Sequence, residues 1–277
     1  MANCQFLTQL LTVSSISTIF GLEILLEKKI LALRHTSKNR TRHGKYHPSN
    51  AGHCAIISLI SLLGLFYFSV LFAQVLLFHR FMLGNQTLQA LSVIAFCASV
   101  ILWCSLILLD QVLSIFQNGQ RTVCRRSEFE LGTVLAVIWT STLPTVLHLF
   151  ETQPSIQLGY AAILTIAFFV TVAELLTFDS NISVVRIRFP YHCVSLGLLC
   201  LAPALQALAE NRPAFPSLAT EFIHMVMKNC LGAAIYLVSP LERLSFMPRL
   251  QPSLYVMHLC LVYSLVSYSR ALMQLIS

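Results

Sequence analysis

Residues 102–116 read LWCSLILLDQVLSIF, apolar almost throughout, with one carboxyl, Asp110, inside the run. In a soluble core helix that aspartate is an oddity. In a bilayer-spanning helix it costs about 2.5–3.5 kcal/mol on insertion scales and marks a functional position. Composition decides between the two. The chain has 277 residues, 56% hydrophobic and 10% charged, with a mean hydropathy of +0.75. Soluble domains carry about 25% charged residues. So few charges cannot cover a water-exposed surface, and the chain reads as a polytopic membrane protein.

Working outward from this stretch, seven apolar runs follow residue 50, at 54–79, 90–116, 130–150, 158–178, 190–209, 219–238 and 253–275. Each is long enough to cross about 30 Å of hydrocarbon as a helix. Helices are required because a lipid-facing backbone group finds no water to pair with. The expected fold is therefore all-α, a seven-helix membrane domain over 51–277. It is preceded by an N-terminal part, 1–50, holding a hydrophobic segment and a basic stretch. Residues 5–26, QFLTQLLTVSSISTIFGLEILL, form an eighth candidate span, rich in Ser and Thr and carrying Glu23. With no basic leader and no A-x-A site, they do not read as a cleaved signal peptide. Pro144, Pro203 and Pro240 fall in or at the ends of spans, where kinks are expected.

The net charge is +7, and its placement matters more than its sum. Fourteen Lys and Arg fall on one side of the expected membrane: seven in 27–50, then Arg121, Arg125, Arg126, Arg186, Arg188, Arg243 and Arg249. The other side has Arg80 and Arg212. By the positive-inside rule residues 27–50 are cytoplasmic, and their basic run can also lie on anionic headgroups. The run KNRTRHGKYH is a topology signal, and no nucleic-acid partner is expected of a polytopic chain. Sequons occur at Asn39, Asn85 and Asn181; only Asn85 falls on the non-cytoplasmic side, making it the glycosylation candidate. The tail ALMQLIS has no retention or peroxisomal signal, so the endoplasmic reticulum membrane is the default location.

Nine cysteines lie mostly in apolar runs (Cys97, Cys104, Cys193, Cys200, Cys230 and Cys260 among them) with no CxxC pair. They read as small buried hydrophobes rather than a disulfide framework. The polar groups are more informative. Asp110, Glu174 and His258 each fall four to six residues from the cytoplasmic end of a span, and Glu128 and Glu130 open the third span there. At about 1.5 Å per residue they could share one layer. Desolvation would keep a carboxyl in that layer protonated, which suits a proton donor. The candidate catalytic residues are therefore Asp110, Glu174, His258 and Glu130. Each also has a bland reading: a packing hydrogen bond for Asp110, headgroup contact for Glu174, a satisfied core histidine for His258, a helix N-terminal charge for Glu130. Glu221, His224 and Lys228, at i, i+3 and i+7, share one face of the sixth span, where Lys228 needs a partner such as Glu221 or Glu151. Trp103, Trp139, Phe168 and Phe169 read as lipid-facing or core.

Three stretches carry a resemblance. FELGTVLAVIWTSTLPTVLHLF (129–150), GAAIYLVSPLERL (232–244) and SLYVMHLCLVYSLV (253–266) resemble the third, sixth and seventh spans of the progestin and adipoQ receptor / haemolysin III family. The likeness covers about residues 50–275. It implies seven spans, a cytoplasmic N-terminus and a zinc site of three histidines and one aspartate near the cytoplasmic side. Residue by residue, His258 matches the second seventh-span histidine, and the first falls on Leu254. The third-span aspartate falls on Phe129, between Glu128 and Glu130, and the second-span histidine falls near Asp110-Gln111. One ligand position in four is kept, whereas zinc takes three or four protein ligands; no metal or other cofactor is expected.

In size and membrane character the chain also resembles the fungal membrane-bound terpene cyclases of meroterpenoid pathways, though through no short motif. That resemblance implies protonation of an epoxide or alkene of a prenylated, lipid-like substrate in a dry cavity, with aromatic faces stabilising the cation. No DDxxD-type pair occurs, which argues against diphosphate ionisation. Three readings stay open: a cyclase of this kind, a lipid-sensing receptor, and a zinc-dependent lipid hydrolase. A transporter lacks the expected internal repeat. Oligomeric state is left open.

Overall fold

The computed structural model describes residues 51–79, 87–116, 123–177, 182–210, 216–238 and 252–276. The chain divides into two units, Met1–Pro48 and Ser49–Ser277, and every described residue belongs to the second. The eighth candidate span at 5–26, the basic stretch and Asn85 lie outside the described residues.

Seven α-helices and no strand make up the described residues: α1 (Ala51–His79), α2 (Thr87–Phe116), α3 (Val123–Leu149), α4 (Pro154–Thr177), α5 (Ile182–Ala209), α6 (Pro216–Val238) and α7 (Pro252–Ile276). They match the seven apolar runs, but α3 and α5 begin seven and eight residues before theirs. The reason is physical. Hydropathy ends where Arg125, Arg126, Arg186 and Arg188 begin, whereas the backbone ladder continues into the polar flank. Three helices start on proline, where the missing N–H would have had no intrahelical partner. α3 and α5 run on through Pro144 and Pro203. Gln153 starts α4, its carbonyl accepting from Ile156 and Gln157, while the Gln157 amide donates back to the Leu147 carbonyl at 3.0 Å. That reciprocal capping closes the short α3–α4 turn.

Six of the seven helices are long and apolar enough to cross a membrane, so the chain is an integral membrane protein. The exception, α6, has the length, with 23 residues, but Glu221, His224, Lys228 and Asn229 dilute its apolarity. It nevertheless packs as a full member of the bundle. In order of packing, α1, α2, α3, α5, α6 and α7 form a ring that closes through α1–α7, and α4 lies outside against α3 and α5. Over its most apolar stretch α3 is 61% buried and α4 only 6%, which sets the centre and the rim. The outer faces of α1 and α4 show Leu59, Leu62, Leu63, Phe66, Leu158, Ile166 and Phe169.

Inside, packing replaces the hydrophobic drive that lipid removes. One end of the bundle is filled by an edge-to-face chain of rings, Phe68–Phe96–Tyr268–Phe222, with centroids 5.6–5.8 Å apart. Such pairs contribute about 0.5–1.5 kcal/mol each. The Tyr268 hydroxyl donates to the Ser141 carbonyl at 2.8 Å and pairs with Thr145 Oγ1 at 2.6 Å, tying α7 to α3. Where α6 meets α7, Gly232 allows the approach: a Cβ there would stand 3.1 Å from Cys260 Cβ. Cys54, Cys97, Cys104, Cys193, Cys200, Cys230 and Cys260 form no disulfide.

Candidate functional site

The ring of six helices encloses a cavity of about 450 Å³. It falls within the range of roughly 300–1,000 Å³ typical of small-molecule sites. Its wall is mostly aliphatic and aromatic. On α2, Trp103, Ile107 and Gln111 reach it at i, i+4 and i+8, one helical face; on α3 the register runs Leu131, Val134, Ile138, Ser141. α5 brings Phe189, Cys193, Gly197 and Cys200, and α6 brings Phe222, Asn229, Ala233 and Tyr236. α7 brings Leu254, His258 and Leu265, while α4 contributes nothing. Gly197 opens one wall: a Cβ there would meet only Val226 Cγ1, at 4.0 Å.

Few polar groups face this space, and their partners fix their roles. His258 is 8% exposed, and its ring lies parallel to Trp103, with centroids 6.5 Å apart at 10°. Its Nδ1 is 2.9 Å from the Leu254 carbonyl, one turn back on α7. A carbonyl can only accept, so Nδ1 carries the hydrogen of this bond. A proton gained or lost by this imidazole therefore passes through Nε2. Asn229 accepts from Ser264 Oγ through its carbonyl oxygen, which holds the side-chain amide in one orientation.

The structure separates the three expected catalytic residues whose side chains it describes. His258 lines the cavity. Asp110 is half-buried and does not line it; it stands on the margin of the Trp103 face, next to Gln111, which does. Glu174 lies on the outside of α4, 48% exposed, with Oε2 3.7 Å from Nδ1 of His192 on α5. The side chains of Glu128 and Glu130 lie outside the described residues. Thus Asp110, Glu174 and His258 do not converge on the cavity as one layer. Lys228 also differs from expectation: its Nζ sits 5.2 Å from the centre of the Tyr263 ring, while Glu221 accepts from Ser267 at 3.4 Å.

Ser141, Asn229 and Tyr236 on the cavity wall had no reading from the sequence, Trp103 was read only as lipid-facing or core, and Gln111 only as a position near a family histidine. The i, i+4, i+8 spacing of Trp103, Ile107 and Gln111 was an available signal, but apolar neighbours on every side hid which face looked inward.

The zinc implied by the family resemblance does not fit. Leu254 presents an aliphatic side chain to the cavity where a histidine would stand, and its carbonyl occupies Nδ1 of His258. Among the described residues no three His, Cys, Asp or Glu side chains gather into a group that could hold a metal ion. No protein-family model matches the chain, and no curated protein matches it.

Proposed function

We propose that this protein is a membrane-embedded terpene cyclase that folds and cyclises a prenylated, lipid-like small molecule inside the helix ring. The observation that carries the reading is the cavity itself: about 450 Å³, mostly apolar, with Trp103, Phe189 and Phe222 around it and one imidazole in its wall. An apolar wall suits a prenyl chain. Ring faces stabilise a passing carbocation through their quadrupoles. His258, protonated at Nε2, is the group that protonates an epoxide oxygen. The C–O bond then breaks, an internal alkene closes the ring, and loss of a proton from the cation to Nε2 regenerates the acid. The net reaction is an isomerisation. Asp110, at the margin of the Trp103 face, is the second candidate donor, and Glu130, four positions before Val134, the third.

The same reading takes residues 27–50 as cytoplasmic and the endoplasmic reticulum membrane as the site of action. It also turns the His258 end of the cavity towards the cytoplasm. The test is to incubate membranes containing the protein with epoxides of prenylated phenols and to analyse products by mass and NMR. A cyclised isomer that disappears in His258→Gln supports the proposal. Binding without conversion would instead favour a lipid-sensing receptor, a reading supported by the absence of any described carboxyl from the cavity wall.

A further inference from the structure

The outer surface of the bundle is not uniform. α1 and α4 face outward with aliphatic and aromatic side chains. The seam between α6 and α7 instead shows His224 and Arg270 exposed, with Glu221, Lys228 and Ser267 half-buried between them. Tyr263, 61% exposed, completes the patch. These groups occupy one stripe, because Glu221, His224 and Lys228 are spaced i, i+3 and i+7 on α6, and Tyr263, Ser267 and Arg270 are spaced i, i+4 and i+7 on α7. The helices are antiparallel, with Lys228 beside Tyr263 and Glu221 beside Ser267.

Charged groups facing hydrocarbon are expensive, and they usually meet protein or water. Both signs are present here, which suits a protein surface better than an anionic headgroup. All copies of a membrane protein insert the same way round, so a two-fold axis relating two copies runs along the membrane normal. Each residue then meets partner residues of its own depth. Glu221 stands at the level of Ser267, about 4.5 Å along the axis from Arg270. The stripe is therefore self-complementary: a carboxylate on α6 faces a guanidinium on α7 of the other copy, twice.

We propose that the α6–α7 stripe is the interface through which two copies of this chain associate, with Glu221 of each copy meeting Arg270 of the other. The inference stands apart from the chemistry of the cavity. Two differently tagged copies are co-expressed, reconstituted in nanodiscs and tested for co-purification, and the particle mass is read by native mass spectrometry. Wild-type copies should co-purify as a dimer. Glu221→Arg and Arg270→Glu should each lower self-association more than about tenfold, since like charges then meet twice. A Glu221→Arg copy with an Arg270→Glu copy should pair again, because the swap restores both contacts. A photo-crosslinker at Met227, on the exposed face of α6, should capture the second copy in an otherwise unaltered chain. A monomeric wild type would overturn the proposal, including one carrying anionic lipid that Lys228→Gln releases. So would a dimer crosslinked from Phe66 on α1 and not from Met227, or a mixed pair of well-folded variants that associates no better than either alone.

Discussion

Two glycines near the cavity should respond in opposite ways to the same substitution. At Gly197 a Cβ meets nothing closer than Val226 Cγ1 at 4.0 Å, and the space beyond is the cavity. Leucine adds four carbons; at about 30 Å³ each, the share of a water molecule, they fill roughly 120 Å³. The Cβ overpacks nothing, and exchanging glycine for leucine inside a helix gains somewhat less than the roughly 0.8–1 kcal/mol that separates glycine from alanine. At Gly232 the Cβ already stands 3.1 Å from Cys260 Cβ and 3.6 Å from Met257 Cα and O, so three further carbons must push α6 from α7. Overpacking costs about 1–3 kcal/mol; near its upper end, less the same helix gain, the net loss is about 2 kcal/mol. For a bundle of this size each kcal/mol moves Tm by about 2–4 °C. Gly197→Leu should thus raise Tm by about 2–4 °C and Gly232→Leu lower it by about 4–8 °C, measured by thermal unfolding in detergent. Gly197→Leu should also abolish binding of a prenylated phenol, read by native mass spectrometry, because the ligand loses its volume. Equal destabilisation by both changes would refute the cavity at Gly197, and unchanged ligand binding in a stabilised Gly197→Leu would refute the cavity as the binding site.

Other perturbations separate catalysis from packing. His258→Gln should lower cyclisation by about 10²–10⁴-fold, with Tm within a few degrees of wild type; Asp110→Asn should cost less than tenfold, and the reverse order of product yields would move the donor to Asp110. Trp103→Leu keeps an apolar wall but removes the ring stacked on His258; slower turnover or altered product ratios at unchanged binding, followed by gas chromatography, is the expected result. Tyr268→Phe removes the hydroxyl that ties α7 to the Ser141 carbonyl and the Thr145 hydroxyl and should cost about 0.5–1.5 kcal/mol, seen as a lower Tm without loss of ligand binding.

The sequence carried the fold further than the site, for a physical reason. A span needs about twenty apolar residues whichever way it faces, so length and hydropathy locate helices well. They say little about rotation, because in lipid both the inner and the outer face of a helix are apolar. That is why LWCSLILLDQVLSIF reads clearly as a span, while the choice between Asp110 and Gln111 as the inward residue does not follow from it. One residue along an α-helix is a rotation of about 100°, and that step puts Gln111 on the cavity wall and leaves Asp110 at its margin. His258 and Glu174 were both singled out by their depth in a span, but depth says nothing of rotation or of a helix's place in the bundle: α7 turns His258 to the cavity wall, whereas α4, with Glu174, lies outside the ring. The opening carboxyl thus gains a sharper meaning: standing next to the cavity face rather than on it, Asp110 ranks behind His258 as a proton donor to that space, and the comparison of Asp110→Asn with His258→Gln decides the order.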